Sequence, residues 1–228
     1  MQEDQYAVVE TSLYISDILS SSSPNRLLDS LPNIPTMMTT RLRLELLLQE
    51  PSIDLSAVSE VILSDPGATL QLLRLIGEEY PNDEDRPTRI EDCIVSFNSN
   101  RWYEVVCALS IPQSSHVLAH WEYWRRVAQC ARELAKCVDG LSPEEAYLVG
   151  LLSQLGTLPH ILGWNNDTGS SAEHSAVGVM LADYWHLPTY FCCAIQELQS
   201  PASSSRWGEI LQMAQAVAIK SEPAAFQD

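Results

Sequence analysis

Five histidines are the first candidates for chemistry in this chain: His116, His120, His160, His174 and His186. His116 and His120 stand four apart, so a helix puts both imidazoles on one face, where they can hold a divalent metal. A metalloprotease pair also needs a carboxylate between its histidines, and here the residues between are Val117, Leu118 and Ala119. Two ligands alone are a weak site, and the pair reads as a solvated or half-packed helix start. His174 opens the stretch HSAVGVMLADYWHLP, where Val177, Met180, Leu181 and Tyr184 make one apolar helix face. A lone imidazole in that setting is a hydrogen-bonded structural residue unless further ligands converge on it. Cys93, Cys107, Cys130, Cys137, Cys192 and Cys193 show no CxxC and no paired metal-ligand spacing. They are expected to be buried, reduced thiols, with a redox or metal role for the vicinal Cys192 and Cys193 as the alternative.

Two other groups stand out. Arg125, Arg126 and Arg132 share one predicted helix, and guanidinium groups bind phosphate in a bidentate fashion. Glu122 and Glu133 lie at helical spacing from them, so internal ion pairs are the competing use of those arginines. The segment AYLVGLLSQLGTLPHIL, residues 146–162, is apolar on nearly every side, yet Ser153 and Gln154 interrupt it together in what should be its last turn. No Gly-rich phosphate loop, GxSxG elbow or HExxH motif is present.

The elements that would position these residues are helical throughout. Pro35 delays the first helix to about Thr36, and Pro51 ends it. Asp54 caps a helix through Leu63, and Asp65 with Pro66 at the first helical position opens another. TRIE (88–91) and SPEE (142–145) have the form of capping boxes. Gly140 can stop a long helix over about 117–138, and further helices are predicted near 172–185, 189–198 and 205–220. Sustained period-two alternation is missing, which predicts no sheet. YPNDEDRP, residues 80–87, reads as an exposed acidic loop.

The 228 residues are 46% hydrophobic, enough for one large core. Thirty acidic against 13 basic residues give a formal charge of −17, which repels phosphate backbones and anionic lipid. Neither nucleic-acid binding nor membrane insertion is therefore expected, and basic partners are favoured. The first ten residues, MQEDQYAVVE, lack the basic and apolar regions of a secretory signal, which together with free cysteines predicts a cytoplasmic protein.

The order of blocks resembles the HDOD domain family, relatives of the HD-superfamily phosphohydrolases. Ile62, Asp65 and Pro66, followed by Leu70, Leu73 and Arg74, match its I-x-x-D-P and L-x-x-x-L-L-R signature. TRIEDCIVSFNSNRWYEVVCAL, YWRRVAQCARELAK, PEEAYLVGLLSQLGTL and EHSAVGVMLADYWHLP follow in family order, with Phe97 and Asn98 in place of a Leu-Gly turn. The resemblance implies an all-α, multi-helix HD-like bundle of two packed helical subdomains. It implies an N-terminal segment 1–30, an HDOD domain 31–201 divided into 31–112 and 113–201, and a C-terminal helix and tail 202–228. In catalytic relatives a helix ending G-L-L-H-D-I-G-K carries the metal-binding His and Asp. By resemblance, Ser153 and Gln154 stand at that pair, Thr157 at the Lys, Arg126 at an earlier His, and Leu198 and Gln199 at a later His pair. Only His174 matches a ligand position.

Ser, Gln, Leu and Arg cannot hold a divalent ion and acidify its water, so the resemblance implies no cofactor and no hydrolase activity. It implies a bacterial signalling module that acts through a protein partner. The alternative is a nucleotide or phosphate sensor, or a residual phosphohydrolase, using the old cleft with Arg126 and His174. In the N-terminal segment, Val8, Leu13, Ile15 and Ile18 lie among acidic residues, a pattern suited to docking as much as to covering the core.

Overall fold

Three helix starts in this protein are set by side chains, Asp54, Asp65 and Ser142, that satisfy the first backbone amides. The computed structural model describes residues 34–87, 89–97, 99–108, 110–111, 115–163, 171–198 and 206–220. A two-residue strand β1 (Thr36–Met37) runs into α1 (Met38–Leu48), followed by α2 (Leu55–Leu63) and α3 (Pro66–Glu79). Then come α4 (Ile90–Val95), α5 (Ser99–Val106) and β2 (Ser110–Ile111). The long α6 (Ser115–Ala135) is followed by α7 (Pro143–Leu152), the short α8 (Leu158–Ile161), α9 (Ser171–Tyr184), α10 (Thr189–Glu197) and α11 (Arg206–Lys220). The fold is all-α, as the patterning predicts. β1 and β2 form a two-residue parallel pair, too short to register as alternation in the sequence.

The caps explain the boundaries. Asp54 accepts from the amides of Ser56 and Ala57 at 3.0 and 3.2 Å, and the Ser142 hydroxyl accepts from Glu145 at 3.2 Å. Asp65 does more than cap α3. Its Oδ1 accepts from Gly67 (2.9 Å) and Ala68 (3.3 Å), while Oδ2 accepts from Met37 at 2.7 Å, fixing β1 to the start of α3. The carboxylate is fully buried, and burial pushes its pKa up against the pull of these hydrogen bonds and one from Thr40.

Two polar links, one of them built on Gln71, join the first helices to later ones. Gln71 donates to the Ile34 carbonyl at 3.2 Å and accepts from Arg74 at 3.0 Å. The Arg74 guanidinium in turn sits 4.9 Å from the centroid of the Trp185 ring, which is 1% exposed. The Tyr147 hydroxyl donates to the Leu63 carbonyl at 2.9 Å, tying α7 to α2. Trp102, Trp121, Trp124 and Phe191 fill the core between. At the crossing of α6 and α7, a Cβ on Gly150 would stand 2.8 Å from Ala128 Cα, so small residues set how closely those helices approach.

Several expectations need correction. Arg89, not Thr88, is the N-cap residue of α4, and Thr88 lies outside the described residues. Helix α6 stops at Ala135, before Gly140, whose φ is +83°. Residues 80–87 are not simply solvated. They contain a 3-10 turn, Asp83–Asp85, and Arg86 is 7% exposed because Nε and Nη2 donate to the Tyr80 and Pro81 carbonyls. The six cysteines are free, but only Cys93 and Cys107 are buried, while Cys137 and Cys193 are exposed. The N-terminal segment 1–30 lies outside the described residues.

Asp65→Ala should destabilise the fold by about 3 kcal/mol, the cap plus a Met37 amide left without its acceptor. Asp65→Asn keeps one oxygen for the cap and should lose about half as much. Urea midpoints of the two variants against the parent check both the loss and its order.

Candidate functional site

Helix α7 ends where the sequence turns polar. Ser153 is its C-cap residue rather than part of the last turn, with φ −60° and ψ −22°. Its hydroxyl is buried and donates to the Gly150 carbonyl at 2.8 Å, so it is used within its own turn. Gln154 is half-buried and leads into the 3-10 turn Leu155–Thr157, closed by the Thr157 hydroxyl on the Gln154 carbonyl at 2.8 Å.

That turn rests directly on α9. A Cβ on Gly156 would overlap the His174 carbonyl oxygen and stand 3.0 Å from the Gly178 amide nitrogen, so only glycine permits the approach. Gly178 offers the reciprocal gap, with the Gly156 nitrogen 3.1 Å from its ideal Cβ position. The structure thus brings the backbone of the Ser153–Thr157 stretch to the first turns of α9, where His174 stands. The His174 ring is half-buried, and its Nε2 is enclosed without a hydrogen-bond partner among the described residues. The expected structural hydrogen bond is therefore missing at that nitrogen. Next to it, the Ser175 hydroxyl donates to the Ile195 carbonyl at 3.2 Å, fastening α9 to α10.

Arg126 is placed elsewhere. It lines an open cleft of about 390 Å³ with Glu122, Arg125 and Gln129 of α6 and Tyr147 of α7, none of which belongs to the Ser153–Thr157 turn. Arg132, one turn further along α6, lies over the Tyr147 ring at 5.4 Å. Its contact with Glu133 is long, 3.9 Å. Leu198 is the half-buried C-cap residue of α10, and Gln199 lies outside the described residues. Sequence reasoning missed Gln129 and Tyr147. The i,i+3 and i,i+4 spacing of Glu122, Arg125, Arg126 and Gln129 marks the helix face, but Tyr147 comes from another helix and carries no local signal.

His116 and His120 do share a face, with ring centroids 4.7 Å apart and rings edge-on. Burial holds the His120 imidazole below its usual pKa, and the nearby His116 and His160 add to that. Among the described residues, no group of three or more His, Cys, Asp or Glu is placed to hold a metal ion. At the positions that resemblance would give to the metal of HD phosphohydrolases stand a hydroxyl already donating to its own helix, a neutral amide, an aliphatic side chain and a guanidinium that lines another cleft, donors that do not fit a divalent ion.

Backbone packing and side-chain chemistry at this end of α7 should separate on mutation. Gly156→Ala is expected to cost about 3 kcal/mol or more, because its methyl group meets backbone that cannot yield cheaply. Ser153→Ala should cost under about 1 kcal/mol, since it loses only a local hydroxyl bond. Thermal unfolding of the two variants side by side tests the contrast.

A model of the HDOD domain matches residues 31–170. No protein of curated function matches the chain. Among solved structures, the chain is similar to the MmoQ response regulator of Methylococcus capsulatus, with 20% identity over 86% of this chain and 90% of that one, at a TM-score of 0.67. It is also similar to a virulence factor of Campylobacter jejuni, with 19% identity over 90% of this chain and 81% of that one, at a TM-score of 0.59. At such identities the two structures speak for the fold, and both agree with the helical arrangement described above. Among the described residues, no helix is long and apolar enough to cross a membrane. The family match spans more than half of the sequence and contains Asp65, Pro66, Arg74 and the Ser153–Thr157 turn: the chain belongs to the HDOD domain family.

Proposed function

We propose that this chain is a non-catalytic regulatory module that works by binding a protein partner. The observation that carries the reading is the donor chemistry where resemblance to HD phosphohydrolases expects ligands. Ser153 is tied to Gly150, Gln154 is a neutral amide, Leu198 has no donor atom, and Arg126 lines a separate cleft. A divalent ion needs several anionic or imidazole ligands before it can acidify a water, and His174 alone cannot supply them. The solved structure with the higher TM-score is a response regulator, which agrees with a signalling role. A charge of −17 suits a partner with a basic surface and makes the association sensitive to salt. Protein purified without chelator is expected to carry no stoichiometric transition metal and to leave phosphodiester substrates intact. One metal ion per chain by elemental analysis, together with hydrolysis, would overturn the reading.

The cleft on α6 favours a second reading, a phosphate-ligand sensor. Arg125 and Arg126 bring guanidinium groups to a volume of about 390 Å³, the size of a small-ligand site, beside Gln129 and Tyr147, which already donate to Glu133 and to the Leu63 carbonyl. Glu122 at its edge and the acidic field of the chain oppose an anion, so two arginines must outweigh both. For this reading, a saturating mononucleotide or inorganic phosphate should raise the Tm by about 5 °C, the shift expected for a ligand well above its Kd. Arg126→Ala should abolish that rise. An unchanged Tm in the parent protein removes the sensor reading.

A further inference from the structure

Helix α1 is apolar on opposite faces. Leu44 is fully buried against the core, yet Met38, Leu42 and Leu46 are 39%, 52% and 66% exposed. These three lie at i, i+4 and i+8, so they form one continuous stripe along the solvent side of the helix. A helix apolar all round belongs in an interior, and a surface stripe of this kind marks a face that something covers. Arg43 is exposed at the edge of the stripe, next to Leu42 and three residues before Leu46.

We infer that residues 6–18 of the same chain dock on this face and cover it. The segment YAVVETSLYISDI carries Val8, Leu13, Ile15 and Ile18, and residues 1–18 hold four acidic side chains and no basic one. It supplies apolar side chains for the stripe, and its charge complements Arg43. Tether length agrees as well. Fifteen residues, 19–33, separate the segment from Ile34, and a chain of that length can reach at most about 50 Å. The stripe from Met38 to Leu46 is only about 12 Å long at 1.5 Å per residue, and the chain enters α1 from the buried Ile34. The covalent connection therefore leaves the stripe within reach of the segment and makes their contact intramolecular. A second copy of the chain is the poorer occupant, since a stable interface uses about 800 Å² and 20–30 residues on each side. Three exposed side chains fall far short of that.

Docking of this kind makes α1 a covered face, open to an outside partner only when that partner displaces the segment. Hydrogen exchange of the full chain, read by mass spectrometry, tests it. Amides within residues 7–18 should exchange about tenfold or more slowly than their intrinsic rates, as for a docked segment with local opening free energy above zero. Leu42→Asp with Leu46→Asp should return them to intrinsic rates while the core amides of α6 and α7 stay protected. Leu13→Asp with Ile18→Asp should do the same without touching α1, which guards against a folding defect in the first variant. Intrinsic rates in the parent protein, or protection that survives both variants, would overturn the inference. A parent dimer by light scattering that both variants dissociate would assign the stripe to a second copy and overturn it too.

Discussion

A carboxylate buried without a cation partner is costly unless each oxygen is occupied, and Asp65 meets that condition by collecting donors from separate parts of the chain. Met37 comes from the strand that precedes α1, Gly67 and Ala68 from the first turn of α3. Pro66 strengthens the arrangement because its nitrogen has no hydrogen to satisfy. Gly67 then allows the Pro35 carbonyl to press against α3, where a Cβ would collide with it. Thr36 donates to the Val106 carbonyl and so seats β1 beside β2. One buried side chain thus fixes the direction in which the chain enters the domain, and α1 inherits its orientation from it.

From α3 the constraint passes to the other half of the molecule. Arg74 shares its charge between Gln71 and the Trp185 ring, and burial lowers its pKa against the smaller opposing pull of Glu78 and Tyr184. Gly77, one turn on, lies against the Trp185 and His186 carbonyls, so α3 and the turn after α9 touch backbone to side-chain-free backbone. His186 adopts a φ of +50° there, a conformation that a residue other than glycine takes only when its surroundings impose it. The family's Asp-Pro and Leu-Leu-Arg positions are therefore a single mechanical unit: the first orients α3, the second binds it to the C-terminal helices.

Much of this was legible because helix ends are written locally. Asp54, Asp65 and Ser142 each satisfy amides within three residues, and the sequence carries that chemistry in full. What escaped depends on distance along the chain. Arg86 reads as part of a charged loop, but its donors are spent on carbonyls five and six residues back, which buries it. Cys193 occupies a helical position indistinguishable by composition from that of Cys93, and Cys137 falls just past the end of α6, so only the packing of the helices decides which thiol faces solvent. The polar pair Ser153 and Gln154 was legible in residue type alone. That Arg126 would open onto a cleft with Tyr147, away from the Ser153–Thr157 turn, required knowing how α6 and α7 cross.

The Ser153–Thr157 turn shows how a backbone contact can be independent of the side chains beside it. A metal ligand is a side chain, and replacing it changes bonding at one point while the backbone keeps its path. Gly156 is different, since its missing Cβ is where the His174 carbonyl sits and Gly178 closes the same gap from the other side. Any larger residue would push the turn off α9, and with it the end of α7, whose Gly150 is already in contact with Ala128 and Ala131. The two glycines thus hold three helices in register regardless of what stands at Ser153 or Gln154. A site can lose its ligands one at a time at small cost in stability, whereas its glycines can change only together with the helix contacts they permit.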